Sequence, residues 1–225
     1  MSLREAELDK DSKLYYMANV VTERAFYNFG KRVQDLVLTS ALLVLSLPVF
    51  LLIAVVIKWE NPKGTVFYKQ IRVGHRGKPF YMYKFRSMIP DADKLQQSLM
   101  GLNEVGGAMF KMKNDPRVTW SGKWLRKSSL DELPQFVNVL RGDMSLVGPR
   151  PPLPREVEQY TAYEKLRLSV IPGCTGVWQV SGRSSVCFDE MVAMDMRYIA
   201  ERTMWMDLKI IMKTGLLVFR AKDAY

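Results

Sequence analysis

The chain is 225 residues long, enough for one domain or one domain with an appendage, and for a sizeable core. Its 33 basic residues against 23 acidic ones leave a formal charge of +10, which points to a phosphate-rich partner: nucleic acid, an anionic membrane face or a phosphorylated small molecule. One histidine, His75, and two cysteines, Cys174 and Cys187, supply neither a disulfide framework nor the ligand spacing of a zinc centre, and free thiols fit a cytosolic compartment.

Residues 1–30 carry five acids and four bases and read as an amphipathic or loosely ordered tail. Residues 36–57, "LVLTSALLVLSLPVFLLIAVVI", contain no charge. As a helix they would extend roughly 33 Å, against a bilayer core of about 30 Å. The run starts too late for a signal peptide and lacks a small-residue cleavage site. Pro48 lies mid-run, where it removes a backbone hydrogen bond and bends the helix, and Ser46 is placed to supply a replacement polar contact. Basic residues flank both sides: Lys31 and Arg32 before, Lys58, Lys63, Lys69 and Arg72 after. They give no inside/outside bias. Two topologies stay open: a kinked spanning helix, and a helix that enters one leaflet, breaks at Pro48 and returns.

"TVFYKQIRVG" (65–74) and "KPFYMYKFRSM" (78–88) are rich in aromatic and β-branched residues, and "HRGK" joins them, so a hairpin is predicted with His75 in its turn. "DADKLQQSLMG" (91–101) is a polar helix stopped by glycine, and 101–119 is loop-like. Leu133, Phe136, Val137 and Leu140 follow helical spacing until Gly142. Helices are also predicted over 155–170, 188–203 and 204–221. The last two set Met, Trp, Ile, Leu and Phe against Arg and Lys, as either a core face or a membrane-interface face would.

The stretch "LRKSSLDELPQFVNVLRGDMSLVGPRPP" (125–152) is the most informative. Asp131 and Glu132 suit a helix N-terminus, Ser129 to Glu132 matches a capping box, and an N-cap at Asp131 would put Pro134 in the first turn. A helix N-terminus also favours phosphate. Arg126, Lys84, Arg86, Arg141 and Arg150 add positive charge, so a carboxylate among them is expected to be depressed in pKa and fully ionised. Such a group can hold Mg²⁺ or attack phosphorus, and phosphoryl transfer needs little more than a nucleophile, cations on the phosphate oxygens, and positioning.

At these residues the chain resembles the monotopic phosphoglycosyl transferases, the bacterial sugar transferases that start exopolysaccharide, O-antigen and capsule assembly. The matching pieces are the Pro-broken apolar helix at 36–57, "YKFRSM" (83–88), the block at 125–151, "PGCTGVWQVSGRS" (172–184) and "DLKIIMKT" (207–214). The resemblance covers residues 30–225. It implies transfer of a sugar-1-phosphate from a UDP-sugar to polyprenyl phosphate with release of UMP. Asp131 would form an aspartyl phospho-sugar intermediate. Mg²⁺ would be held at Asp131 and Glu132, with Glu132 either binding the metal or activating the polyprenyl phosphate. Lys84, Arg86 and Arg126 would bind phosphate oxygens, with Arg141 as a further cation, and the Pro149-Arg150-Pro151 turn would contact the nucleotide. "WQVSGRS" reads alone as a packing corner. In the family it would help enclose the sugar or lipid phosphate, through Gln179 and Arg183, and its form points to glucose or galactose. The helix would be re-entrant, broken at Ser46 and Pro48, although Leu47 separates the two residues that relatives often carry adjacent. Many relatives carry further N-terminal spanning helices and an extra domain, so this chain reads as the minimal catalytic form or a fragment cut to it.

The expected fold is α+β, mostly α, with a re-entrant membrane helix, a small β-hairpin and amphipathic interfacial helices. The tail covers 1–30, the membrane helix 31–60 and a cytoplasmic catalytic domain 61–225. Expected partners are UDP-sugar, polyprenyl phosphate and the lipids of the bacterial inner membrane, not nucleic acid; a homodimer is left open. Two rivals lack catalysis: a membrane-tethered nucleic-acid-binding protein, for which no groove-reading helix or RNA-binding motif is visible, and an adaptor whose cationic surface binds anionic lipid.

Overall fold

The computed structural model describes residues 24–99, 101, 112, 114–181 and 187–220. Its elements in chain order are α1 (Ala25–Glu60), β1 (Phe67–Val73), β2 (Pro79–Phe85), α2 (Ala92–Leu99), α3 (Trp120–Ser128), α4 (Gln135–Arg141), β3 (Ser145–Val147), α5 (Pro154–Glu158), α6 (Ala162–Lys165), β4 (Gly173–Thr175), α7 (Val177–Ser181), α8 (Phe188–Glu201) and α9 (Met204–Arg220). The mostly helical α+β architecture and the hairpin are as the sequence predicts.

α1 is a helix of 36 residues that starts at Ala25, earlier than Lys31. It is long and apolar enough to cross a membrane. Its buried residues fall into two pairs at one-turn spacing, Asp35 with Thr39 and Ile53 with Ile57. Between them the run exposes Leu42, Val44, Leu45, Leu47, Val49, Leu51 and Leu52. The helix therefore rests on the rest of the protein with both arms and not with its middle. Helical conformation runs on through Pro48, whose missing N–H leaves the carbonyl of Val44 without its usual donor. Ser46 Oγ donates to Leu43 O at 3.0 Å, so the serine compensates one residue away from the carbonyl that the proline orphans.

β1 and β2 pair antiparallel, with Phe67 opposite Phe85 and Ile71 opposite Tyr81. Alternation along β2 sends Met82 to a core shared with Val139, Leu146, Val147, Met196, Ile199 and Ile210. Phe85 joins a second cluster with Ile53, Ile57 and Leu125, flanked by Phe50, Leu130 and Leu133. The rings of Phe50 and Phe85 meet edge to face at 5.0 Å. β3 and β4 form a small parallel pair, Ser145 opposite Gly173 and Val147 opposite Thr175. The sequence does not announce this pair, because each strand has three residues in a Gly/Pro-rich setting.

The segment 155–170, read from sequence as one helix, is broken. α5 ends at Glu158, and Thr161 starts α6 with a capping box in which its Oγ1 accepts from Glu164 N and Glu164 Oε2 accepts from Thr161 N. Tyr160, between them, turns inward, where its hydroxyl accepts from Arg167 Nη1 at 2.8 Å. α8 and α9 form as predicted. On α9, Asp207 and Ile210 face inward, while Met204, Trp205, Met212 and Leu216 are exposed, so the helix serves both as core and as an apolar outer face. Most of the loop-like 101–119 stretch lies outside the described residues.

Candidate active site

The acid pair sits in a tight turn between two short helices. α3 is capped by Thr119, whose Oγ1 accepts from Gly122 N at 3.0 Å. Gly122 lies against the end of β2: a side-chain carbon there would sit 2.0 Å from Ser87 O. α3 stops at Ser129, which takes a left-handed conformation (φ 58°). Leu130–Glu132 form a single 3₁₀ turn, and α4 follows with Pro134 as N-cap. The acids thus start a helical stretch, but the predicted capping does not occur. Neither Ser129 nor Pro134 offers a side-chain cap, and the Ser129–Glu132 capping box is not formed. The acids owe their place to their neighbours: Leu130 and Leu133 on either side pack against the cluster of Ile53, Ile57, Phe85 and Leu125.

α4 is clipped to the open edge of β2 by Asn138, which is fully buried. Its Nδ2 donates to Tyr81 O at 2.7 Å and its Oδ1 accepts from Tyr83 N at 3.0 Å. One side chain does the work of a third strand. The next residue on β2, Lys84, reaches Glu132 Oε1 at 2.6 Å.

The two acids differ in environment. Asp131 is 7% exposed, whereas the Glu132 side chain is 43% exposed. Burial pushes the Asp131 carboxyl up to about 6; Lys84 and Arg126 oppose the rise and Glu132 adds to it. For Glu132, desolvation also raises the pKa, but Lys84, with Arg150 and Arg72, outweighs it and holds the carboxyl below its usual range. The expectation of a depressed carboxylate therefore fits Glu132 and fails for Asp131, because desolvation outweighs the nearby cations there.

The predicted cations divide. Lys84 and Arg126 act on Asp131, and Arg126 is steadied by Nε donating to Ser87 Oγ at 3.0 Å. Arg150 acts on Glu132 and lies 3.7 Å from Glu156. Arg86 turns aside, its Nε donating to Thr65 O at 2.8 Å. Arg141, 59% exposed, donates to Tyr83 Oη at 3.1 Å, and Tyr83 and Lys84 are consecutive in the strand and so face opposite ways. The structure does not bring Arg86 or Arg141 to the acid pair. Gln179 lies on α7, close against Gly176. Arg183 lies outside the described residues.

The Pro149-Arg150-Pro151 turn is held by its main chain. Pro149 O accepts from Gly173 N, Pro151 O from Arg72 Nη1 and Pro152 O from Val73 N, each at 2.9 Å. Arg72 is the site residue that the sequence reading missed. It is 6% exposed and carries positive charge next to Glu132, and burial with the neighbouring Arg150 lowers its pKa to about 9. Its place in an aromatic-rich strand gives no signal of this, since Pro151 O, one of its acceptors, lies 79 residues away.

Two adjacent carboxylates are too few ligands to cage an ion alone, and no group of three or more candidate ligands occurs among the described residues. The donor chemistry instead suits an ion that is shared with a phosphate-bearing ligand, as Mg²⁺ commonly is.

Residues 26–221 match the family model described as bacterial sugar transferase. The chain is 46% identical over 194 residues to a galactosyl transferase of Streptococcus agalactiae, covering 84% of this chain and 43% of that protein. It is 43% identical over 201 residues to the undecaprenyl-phosphate galactose phosphotransferase of Salmonella typhimurium, covering 88% and 42%. It thus spans less than half the length of those two relatives. An exopolysaccharide production protein of Rhizobium meliloti is 37% identical over 227 residues, which is 99% of this chain and 100% of that protein. With the family model matched along nearly its whole length, the chain belongs to the bacterial sugar transferases.

Proposed function

We propose that the protein transfers a sugar-1-phosphate from a UDP-sugar to polyprenyl (undecaprenyl) phosphate at the cytoplasmic face of the bacterial inner membrane, releasing UMP. The observation that carries this reading is the buried Asp131 beside Glu132, which is ion-paired to Lys84, with Arg126, Arg150 and Arg72 acting on the pair and the flanking Leu130 and Leu133 packed against Ile53 and Ile57 of α1. That arrangement combines a carboxylate nucleophile, cations for a diphosphate and a lipid-facing helix in one place.

In this mechanism an Asp131 oxygen attacks the β-phosphorus of the UDP-sugar. The bond from that phosphorus to the bridging oxygen breaks, and UMP leaves with the electron pair. The phospho-sugar is then held on Asp131 as an acyl phosphate. A polyprenyl phosphate oxygen attacks the same phosphorus, displaces the Asp131 carboxylate and yields the polyprenyl-diphosphate-sugar. Lys84 and Arg126 would offset charge on the transferred phosphate, and Arg150 charge on the nucleotide. Asp131 and Glu132 would hold Mg²⁺, which supplies charge neutralisation to the diphosphate when bound. Because Lys84 keeps Glu132 ionised, we assign Glu132 to the ion rather than to proton abstraction. A phosphate monoester, with a second pKa of about 6, needs little help to ionise at neutral pH.

We read α1 as re-entrant. Arg32 and Glu60, from opposite ends of the helix, both bond the same body. That is what two cytoplasmic ends require. Two relatives are named for galactose and glucose transfer to undecaprenyl phosphate, and these two hexoses are the first donors to try. The test is a UMP-release screen with purified protein, Mg²⁺, a short polyprenyl phosphate and a panel of UDP-sugars. Release with one hexose donor and its loss in Asp131→Asn, with an acid-stable sugar label on the wild-type protein before acceptor is added, supports the reading. UMP release by the Asp131→Asn variant, or none by the wild type with any donor, overturns it; salt-sensitive oligonucleotide binding would then favour the nucleic-acid alternative.

A further inference from the structure

The two ends of α1 finish on the two outer ends of the helix pair that presents the acids. At its last residue, Glu60 Oε1 accepts from Trp120 N at 2.8 Å, Oε2 accepts from Ser121 N at 3.3 Å, and the Ser121 hydroxyl also donates to it. Trp120 and Ser121 open α3, and Thr119 takes the next donor, Gly122 N. On the other arm, Arg32 Nη1 donates to Val139 O at 2.6 Å and Nη2 to Leu140 O at 2.9 Å. Those are among the last carbonyls of α4, where Gly142 turns the chain at φ 87°. An acid at a helix N-terminus and a guanidinium at a helix C-terminus are the signs that the helix dipoles favour; Glu60 takes amides that the start of α3 leaves open, and Arg32 adds a donor to Leu140 O and a second one to Val139 O, which also accepts from Gly142 N. Asp131 and Glu132 lie in the turn between these two anchored ends, and the leucines beside them pack on Ile53 and Ile57 of the same helix.

We propose that Glu60 and Arg32 are positioning residues, which clamp α3, the acid turn and α4 to both arms of the membrane helix. The seating of α1 in the bilayer then sets where the acid pair stands relative to the lipid phosphate. This rests on the transferase reading. Neither residue touches substrate. Each acts through the helix end that it holds, and a misplacement of about 1 Å at reacting groups is enough to cost turnover on the order of 100-fold.

The test compares Glu60→Gln and Arg32→Gln with Thr119→Ala in the full chain. Thr119→Ala removes a cap from the same helix end but leaves the tie to α1 intact. The expected result is a kcat for UMP release lowered about 10- to 100-fold in the first two variants, with KM for the UDP-sugar changed less than about three-fold. Thr119→Ala, at a matched fall in Tm, retains most of its kcat, and Glu60→Asp recovers more kcat than Glu60→Gln. Faster amide exchange over 128–134 in Glu60→Gln than in Thr119→Ala is expected whether or not a donor sugar has been found. Wild-type kcat in both tie variants, a loss no larger than that of Thr119→Ala at equal Tm, or unchanged exchange over 128–134 overturns the proposal. Should Glu60→Gln fail to fold, Arg32→Gln carries the same comparison from the other end. Absence of UMP release by the wild type overturns the transferase reading instead, and leaves the exchange measurement to decide the clamp.

Discussion

Lys84 Nζ stands 2.6 Å from Oε1 of Glu132, the more exposed member of the acid pair, and not against the buried Asp131. The ammonium therefore holds the charge of the supporting acid directly, and offsets only in part the rise that burial imposes on the Asp131 carboxyl. Lys84→Met removes that charge and lets Glu132 rise towards neutrality. UMP release is expected to fall by about 100- to 1,000-fold, the scale seen when one preorganised donor is lost. Lys84→Arg should recover part of it. Steady-state kinetics on the three proteins decide, and a Lys84→Met enzyme within a few-fold of wild type would remove Lys84 from the site.

Asp131 also makes a stability prediction. Its folded pKa, about 6, lies above the ordinary value of 3.8. The folded state then binds the proton more tightly than the unfolded one, so the contribution is complete at acid pH and is lost as pH rises through about 6. Asp131→Asn lacks the titration. The variant should gain on the wild type between about pH 4 and pH 7, by at most about 3 kcal/mol. Thermal unfolding in detergent with chelator across that range checks it; a gap between the two proteins that stays constant with pH contradicts the buried carboxyl.

Two arginines that look equivalent in sequence should behave differently. Arg126 acts on Asp131, while Arg86 is turned to Thr65. Arg126→Ala is expected to lower kcat/KM at least about 10-fold, and Arg86→Ala by less than about three-fold. Equal losses in the two variants would mean that Arg86 swings into the site when substrate is bound.

These contrasts show which parts of the molecule were legible in the sequence. The hairpin is written in local alternation and a short turn at His75–Gly77, and α1, α8 and α9 in long apolar patterns. The acid pair stands out because opposite charges crowd beside a Pro-Arg-Pro-Pro run. What local pattern cannot carry is partnership over distance. Glu60 looks like an ordinary charge at a helix end, and its donors lie 60 and 61 residues further on. Arg72 looks like one of several basic strand residues. The 155–170 stretch has helical periodicity, yet a local capping box and the inward turn of Tyr160 divide it. The acid turn itself deviates from the predicted cap because hydrophobic flanks, Leu130 and Leu133, decide its position.

Asn138 is an uncharged residue that ties the site to the hairpin. It is fully buried and satisfies both a donor and an acceptor on the edge of β2. Asn138→Leu leaves those strand groups unpaired and should destabilise the protein by about 2–4 kcal/mol. Chemical or thermal unfolding of the variant measures this, and a cost below about 1 kcal/mol would show that water replaces the amide.

The re-entrant reading of α1 makes a labelling prediction. With Cys174 and Cys187 changed to serine, single cysteines placed in the N-terminal tail and at Lys63 should both react with a membrane-impermeant reagent only after the cytoplasmic face is opened. Reaction of the tail cysteine in intact cells would establish a spanning helix instead.

The ties of α1 also impose an order on how the protein is made. In a chain built from its N-terminus, α1 is complete before any of its partners exist. Glu60 waits for Trp120, Arg32 for Val139, Asp35 for the amide of Leu146, and Lys31 for Asp207, the furthest along the chain of the four. The helix thus emerges carrying charges whose partners are still unsynthesised, and the later chain assembles on it. Of these four ties the one from Lys31 is the last that can form, when α9 delivers Asp207, so a chain truncated just before that helix would leave Lys31 without this carboxylate.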